Sequence, residues 1–277
     1  MKTKIIGQER IVRELGRVFD IFSASGGAIR PHFILTGDSG SGKSFTIETL
    51  AREKELAFIS INAAQLTKEG TSGNSLSKAL SPIAELKGKP TIVFVDEFDK
   101  LFISDNSNSS IANEVTLGVQ NEFLKVLESP TTAVYGNYGH YVNIDISKCL
   151  FVFAGAFNNE EEITLDKLRS FGVKTEFLGR VGLVYNTDKL VLKDLYEILE
   201  SSELLENYLR LFPDVDREVC VDTIKKYLKD NFKNNSIGAR IINTLINQYF
   251  IKDGELGFED VKEITFQEKL SFNKEKK

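Results

Sequence analysis

A chain of 277 residues, 42% of them apolar, can bury a sizeable core and form one large domain or two. Charged residues make up 27% and the formal net charge is −5, a soluble globular profile that argues against a broad electrostatic grip on DNA and leaves room only for a local basic patch. No stretch approaches a membrane span, Met1 to Ile6 opens no long apolar leader, and Cys149 and Cys220 are too few for a zinc site or a disulfide framework. Two reduced, buried thiols and a cytoplasmic setting are expected.

In chain order, the first strand is expected at Phe33–Thr36, an apolar, β-prone run after His32. It leads into Gly37-Asp38-Ser39-Gly40-Ser41-Gly42-Lys43-Ser44, and a helix follows over Lys43–Lys54, with Phe45 in its first turn. Further strands are expected at Ala57–Ile61, Ile92–Asp96, Cys149–Phe153 and Gly182–Tyr185, with helices at Ser75–Leu86 and Asn113–Leu127. This alternation predicts an α/β fold, a parallel sheet covered on both faces. Ser104 to Ser110 reads as a mobile loop and Glu160-Glu161-Glu162 as a solvated face. The last third changes character: Lys189–Leu211, Arg217–Asp230 and Ile237–Tyr249 read as amphipathic helices, with Asp188 as the N-cap at the junction. The expected domains are residues 1–185, a nucleotide-binding α/β part, and 186–268, a helical part, followed by a basic tail at 269–277.

The Gly37–Ser44 run fits the phosphate-loop pattern of glycine, four free positions, glycine, lysine and a hydroxyl residue. Gly40 and Gly42 allow a tight turn that points successive N–H groups into one concavity, and the following helix adds its positive end. Lys43 is then expected on the β- and γ-phosphates and the Ser44 hydroxyl on Mg²⁺. The continuous apolar run Thr91 to Val95 ends in Asp96-Glu97, as a strand buried on both faces would. Asp96 is placed to hold Mg²⁺, directly or through water, and Glu97 to orient and deprotonate the attacking water. ATP and Mg²⁺ are thus the expected ligands. His32 and His140 have no partners readable from sequence, and His32 is expected to be structural.

These motifs resemble the AAA+ ATPases, nearest to the ClpX and HslU protein unfoldases, over about Ile5 to Thr265. Ile6-Gly7-Gln8 resembles the family's adenine-side motif, and Asp96-Glu97-Phe98-Asp99-Lys100 its second nucleotide motif. Gly118-Val119-Gln120 with Leu124 to Glu128 resembles the next helix, and Phe151 to Phe157 the fourth core strand. Glu176-Phe177-Leu178-Gly179-Arg180 resembles the arginine-finger box, and Gly238-Ala239-Arg240 the sensor-two motif of the helical lid. The resemblance implies a homo-oligomeric ring of six and a protein client. It places Ile6 beside the nucleotide, Arg180 on the γ-phosphate of a neighbouring subunit, and Arg240 on the nucleotide in the same chain.

The chain also departs from that pattern. Where the family carries a glycine-aromatic-hydrophobic-glycine pore loop, the chain reads Gly70-Thr71-Ser72-Gly73. Tyr138, in Tyr135 to Tyr141, either takes over the grip or marks a plain hairpin turn. Only Asn158 to Thr175 precedes the arginine-finger box, with no Ile-Gly-Phe tip, so no ClpP-type peptidase partner is expected. The polar residue that the family carries on the fourth core strand is not matched, since Gly155 and Ala156 occupy that region, and Asn158 is a weak substitute. Three readings stay open: a protein remodeller, a loader-like ATPase serving DNA replication or packaging, and an ATP-controlled assembly switch.

Overall fold

The computed structural model describes residues 4–68, 73–102, 110–136 and 140–257, with 110–116 in backbone only. The Gly70–Ser72 stretch, residues 104–109, Tyr138 and the basic tail lie outside the described residues. The central strands are β1 (Phe33–Thr36), β2 (Ala57–Asn62), β3 (Thr91–Asp96), β6 (Cys149–Gly155) and β7 (Leu183–Asn186), while β4 (Thr131–Tyr135) and β5 (Tyr141–Asp145) pair as an antiparallel hairpin. The central sheet is parallel throughout, in the order β2-β3-β6-β1-β7. This is the expected α/β core with a helical C-terminal region.

The register follows burial. Every residue of β1 and β6 is buried, as are the first five of β3, whereas β2 and β7 at the edges are mixed. Alternate side chains face opposite layers. Ile34, Val93, Val95, Phe151 and Phe153 join one core with the helix α4 (Ser110–Glu128). Phe33, Leu35, Ile92, Phe94, Leu150 and Val152 join another. This second core is covered by α1 (Glu9–Ala24) and α2 (Lys43–Glu53). Helix α1 lies where the sequence reading places no element, although Ile11, Leu15, Val18, Phe19 and Phe22 recur at helical spacing and are buried.

Four expectations are corrected. The Ser75–Leu86 helix is a short α3 (Leu76–Ala79) and a 3₁₀ segment at Ser81–Leu86, because Pro82 opens the second piece and cannot extend the first. Lys189–Leu211 is two helices, α7 (Leu192–Glu200) and α8 (Glu203–Leu211), and the Ser202 hydroxyl caps the second by accepting the Leu205 N–H at 3.3 Å. Asp188 caps nothing; its carboxylate pairs with Arg10 at 2.8 Å and its backbone bonds Gln8. Helix α10 starts at Arg240 and not at Ile237, since Gly238 has φ +58°. Two short helices not read from sequence, α5 (Leu165–Ser170) and α6 (Thr175–Arg180), precede β7, and α9 spans Arg217–Asn231.

The described residues fall into two compact units. One runs to Asp194 and includes Ser236–Ala239; the other comprises Leu195–Asn235 and the residues from Arg240. The second has its own core, with Leu195, Leu199, Leu205, Cys220, Ile224, Leu228, Ile242 and Leu245 buried and Tyr208 stacked on Phe250 at 4.6 Å. Cys149 and Cys220 are free and buried, and Glu160, Glu161 and Glu162 are exposed. Among the described residues no helix is long and apolar enough to cross a membrane.

Candidate nucleotide site

Strand β1 ends at Thr36, and the chain turns back on itself before α2 begins at Lys43. Gly40 and Gly42 have φ +75° and +90°, a region costly for a residue with a Cβ. A Cβ on Gly40 would stand 2.1 Å from the Ile237 carbonyl oxygen, so only glycine permits that approach. The loop is pinned from both sides. Gln8, 1% exposed, donates through Nε2 to the carbonyls of Asp188 at 2.8 Å and Ser41 at 3.3 Å. It also accepts the Asp188 N–H at 2.9 Å. The Thr187 hydroxyl bonds that of Ser41 at 3.0 Å, and the Ala239 N–H donates to the Gly40 carbonyl at 3.0 Å. Gln8, Thr187 and Ala239 are supports that the sequence reading did not single out for this loop.

Lys43 curls over the loop and donates to the carbonyls of Gly37 at 2.7 Å and Asp38 at 3.0 Å. A phosphate bound among the loop N–H groups would meet this ammonium at once. The Ser44 hydroxyl donates to Asp96 Oδ2 at 3.0 Å, joining the loop to the end of β3. In an octahedral Mg²⁺ shell, with bonds of about 2.1 Å, neighbouring ligand oxygens stand about 3 Å apart. A hydroxyl and a carboxylate at this separation therefore fit two positions of such a shell. Asp96 Oδ1 accepts the Glu97 N–H at 2.9 Å, and Glu97 itself is exposed with φ +53°. Such a backbone costs a non-glycine residue about 1–2 kcal/mol, and here it presents the carboxylate beyond the strand end.

Strand β6 lies between β1 and β3, so the loop after it opens between the phosphate loop and Glu97. There the sequence reading is corrected by one residue. Asn159, not Asn158, turns back to the phosphate loop and accepts the Ser39 N–H through Oδ1 at 3.3 Å. Phe157, Asn158 and Asn159 all have positive φ, a reversal that no spacing rule signals.

The remaining candidates are placed as follows. Ile6 is buried just before Gln8, and Phe45 is 46% exposed beside Ser44 on α2. Arg180 closes α6 and pairs with Glu128 at 2.7 Å, both half-exposed. Arg240 opens α10 in the second unit. His32 stands apart from this chemistry. Its Nδ1 accepts the Phe151 N–H at 3.0 Å, and burial, with Arg30 nearby, lowers its pKa to about 4. Phe98, in the turn after Glu97, packs on Phe153 at 4.7 Å, Phe177 at 5.2 Å and Phe123 at 6.0 Å, and so joins the Glu97 turn to the helix that ends in Arg180.

Residues 33–176, just over half of the chain, match the family described as ATPase family associated with various cellular activities (AAA). The chain belongs to this family of ATPases. It is similar to the ATP-dependent Clp protease ATP-binding subunit ClpX 2 of Wolinella succinogenes, 29% identical over 217 residues, covering 66% of this chain and 55% of that protein. It is also similar to the ClpX subunits of Bacteroides thetaiotaomicron, 24% identical, and Bacteroides fragilis, 25% identical. Those two alignments each cover 78% of this chain and 63% of the relative. The chain thus spans between half and two thirds of the length of these relatives, and the resemblance to AAA+ ATPases related to ClpX is borne out.

Proposed function

We propose that the chain is a Mg²⁺-dependent ATPase that couples hydrolysis to the remodelling of a protein client, in a ring of identical subunits numbering six. The Ser44–Asp96 hydrogen bond carries the reading, since it joins the phosphate loop to the acidic end of β3 in the donor pair a magnesium nucleotide needs. In this mechanism the loop N–H groups and Lys43 hold the β- and γ-phosphates, and Ser44 and Asp96 hold the cation, which neutralises phosphate charge. Glu97 takes the proton of the attacking water. Asn159 fixes the loop beside it, Arg240 contacts the nucleotide in cis, and Arg180 of a neighbouring subunit stabilises the charge that develops on the transferred phosphoryl group. Ile6 and Phe45 flank the base and sugar side.

The client is read as a polypeptide because the relatives are ClpX subunits, named as ATP-binding subunits of a protease. The short Asn158–Thr175 connection, with α5 inside it and no Ile-Gly-Phe tip, supports work without a ClpP-type peptidase. Two free, buried thiols suit a cytoplasmic setting. The test is ATP turnover with an unfolded polypeptide, with single-stranded DNA, and with neither. Stimulation by polypeptide alone is expected. Stimulation by DNA alone would favour a loader, and ATP-driven assembly with negligible turnover would favour a switch. Either result would overturn the remodelling reading.

A further inference from the structure

We propose that the buried carboxyl of Asp99 is a positioning group that sets Glu97 and Asn159 against each other across the phosphate loop. This rests on the nucleotide reading above and assigns a role to a residue which that reading does not use. Asp99 is 4% exposed and lies in the 3₁₀ turn Phe98–Leu101, two residues after Glu97. A buried carboxyl needs partners, and this one is directed at the β6 loop. Its Oδ2 accepts the Phe157 N–H at 3.3 Å. Its other oxygen lies over Gly155, where an added Cβ would stand 2.8 Å from Oδ1 and 3.0 Å from the Asp99 Cβ. The Phe157 Cε2 would stand equally close, at 2.8 Å, so Gly155 is small because Asp99 and the Phe157 ring share that space.

Phe157 is the first of three consecutive non-glycine residues in the left-handed region, with φ +45°, +59° and +56°. Such a run persists only where its surroundings impose it. The Phe157 ring is fully buried against Phe171 at 5.5 Å, and Asp99 holds its N–H. The third residue of the run is Asn159, whose Oδ1 takes the Ser39 N–H. At the other end of the Asp99 turn stands Glu97, itself left-handed, with its carbonyl accepting the Lys100 N–H at 3.0 Å. The contacts close into a circuit: Glu97, Asp99, Phe157, Asn159, Ser39, the phosphate loop to Ser44, Asp96, and back to Glu97. The Asp99 carboxylate bonds the Phe157 N–H and neither the phosphate loop nor the Ser44–Asp96 pair. Its effect must therefore pass through the two groups it spaces.

The test uses the full chain and the variants Asp99→Ala, Asp99→Asn, Asn159→Ala and Asp99→Ala/Asn159→Ala. In the absence of nucleotide, amide hydrogen exchange of the peptide covering 157–159 is expected to quicken in Asp99→Ala and to stay near normal in Asp99→Asn, which keeps an acceptor. For ATP turnover, Asp99→Ala is expected to lose about tenfold or more in kcat, the scale of a small misplacement of reacting groups, with KM little changed. The double variant is expected to be no slower than the slower single variant, because both changes disable the same unit. If Asp99→Ala does not fold, Asp99→Ser, which keeps a polar group but is too short to hold the Phe157 N–H, is expected to give the same quickened exchange and kcat loss. Unchanged exchange in the 157–159 peptide overturns the proposal whether or not the chain hydrolyses ATP. Multiplying losses in the double variant would mean a general structural role and overturn the coupling. Quickened exchange in Asp99→Ala, together with no ATPase activity in the wild-type chain, would identify the nucleotide reading as the failure, and the positioning role for hydrolysis falls with it.

Discussion

Glu97 illustrates how a single residue spends stability on placement. Its left-handed backbone is unfavourable, yet it swings the carboxylate off the strand line while Asp96 stays on it, held by the Ser44 hydroxyl. Replacing Glu97 with Gln should leave nucleotide binding intact and lower turnover by about 10² or more, the scale of a lost general base. Lys43→Ala should abolish tight binding, and equilibrium binding beside steady-state turnover separates the two effects. His32 sets a different kind of limit. Its Nδ1 accepts a backbone N–H in the neutral state only, and burial lowers its pKa to about 4 from the ordinary 6.5. Between those values the unfolded chain holds the proton that the native chain refuses, so native stability rises with pH across this window. The contribution is complete above pH 6.5 and lost progressively as pH falls to about 4, with a ceiling of about 3 kcal/mol. Urea titrations from pH 7 to 4 should therefore show a steeper acid loss in the natural chain than in His32→Gln, which keeps an acceptor and carries no proton.

Among the elements, the aromatic cluster of Phe98, Phe123, Phe153 and Phe177 draws the Glu97 turn, α4, β6 and α6 onto one centre. Phe177→Ala should cost about 3–5 kcal/mol in denaturant unfolding, as large-to-small changes in packed cores do. A loss under 1 kcal/mol would mean that α6 is loosely held. The buried strands were legible in sequence because unbroken apolar runs permit little else, and β1, β3 and β6 fall within two residues of expectation. The phosphate loop was legible because glycine, lysine and serine stand at fixed spacing. Short helices were not: α5 and α6 have six residues each, too few to show a periodic face. Helix α1 was legible in principle, since Ile11, Leu15, Val18, Phe19 and Phe22 recur at helical spacing. Asn159 stayed hidden for a physical reason: its place depends on three consecutive left-handed residues held by tertiary contacts, and although Asn tolerates that region singly, nothing local signals a run that opens on Phe157. Gln8 and Thr187 escape a sequence reading because their partners in the loop, the Ser41 carbonyl and the Ser41 hydroxyl, lie 33 and 146 residues away along the chain.

For the whole molecule, the proposed ring makes activity a property of interfaces. Mixing Arg180→Ala chains with Lys43→Ala chains should restore part of the ATPase activity that each lacks alone, because some interfaces then pair an intact arginine with an intact phosphate loop. Full activity in a strictly monomeric preparation would contradict a shared site. The Arg180–Glu128 pair bears on how such a ring forms. The guanidinium already has an anion 2.7 Å away on its own chain, so meeting a neighbour's phosphate is an exchange of counter-ions and not the capture of a bare charge. A half-exposed pair of this kind contributes about 0–1 kcal/mol, so the exchange is nearly free and readily reversed. Assembly then resembles an ion-exchange equilibrium, in which salt weakens the bond being given up along with the one being made. Its ionic-strength dependence should accordingly be shallow, and Glu128→Gln, which leaves the arginine without its resident anion, should make it steeper.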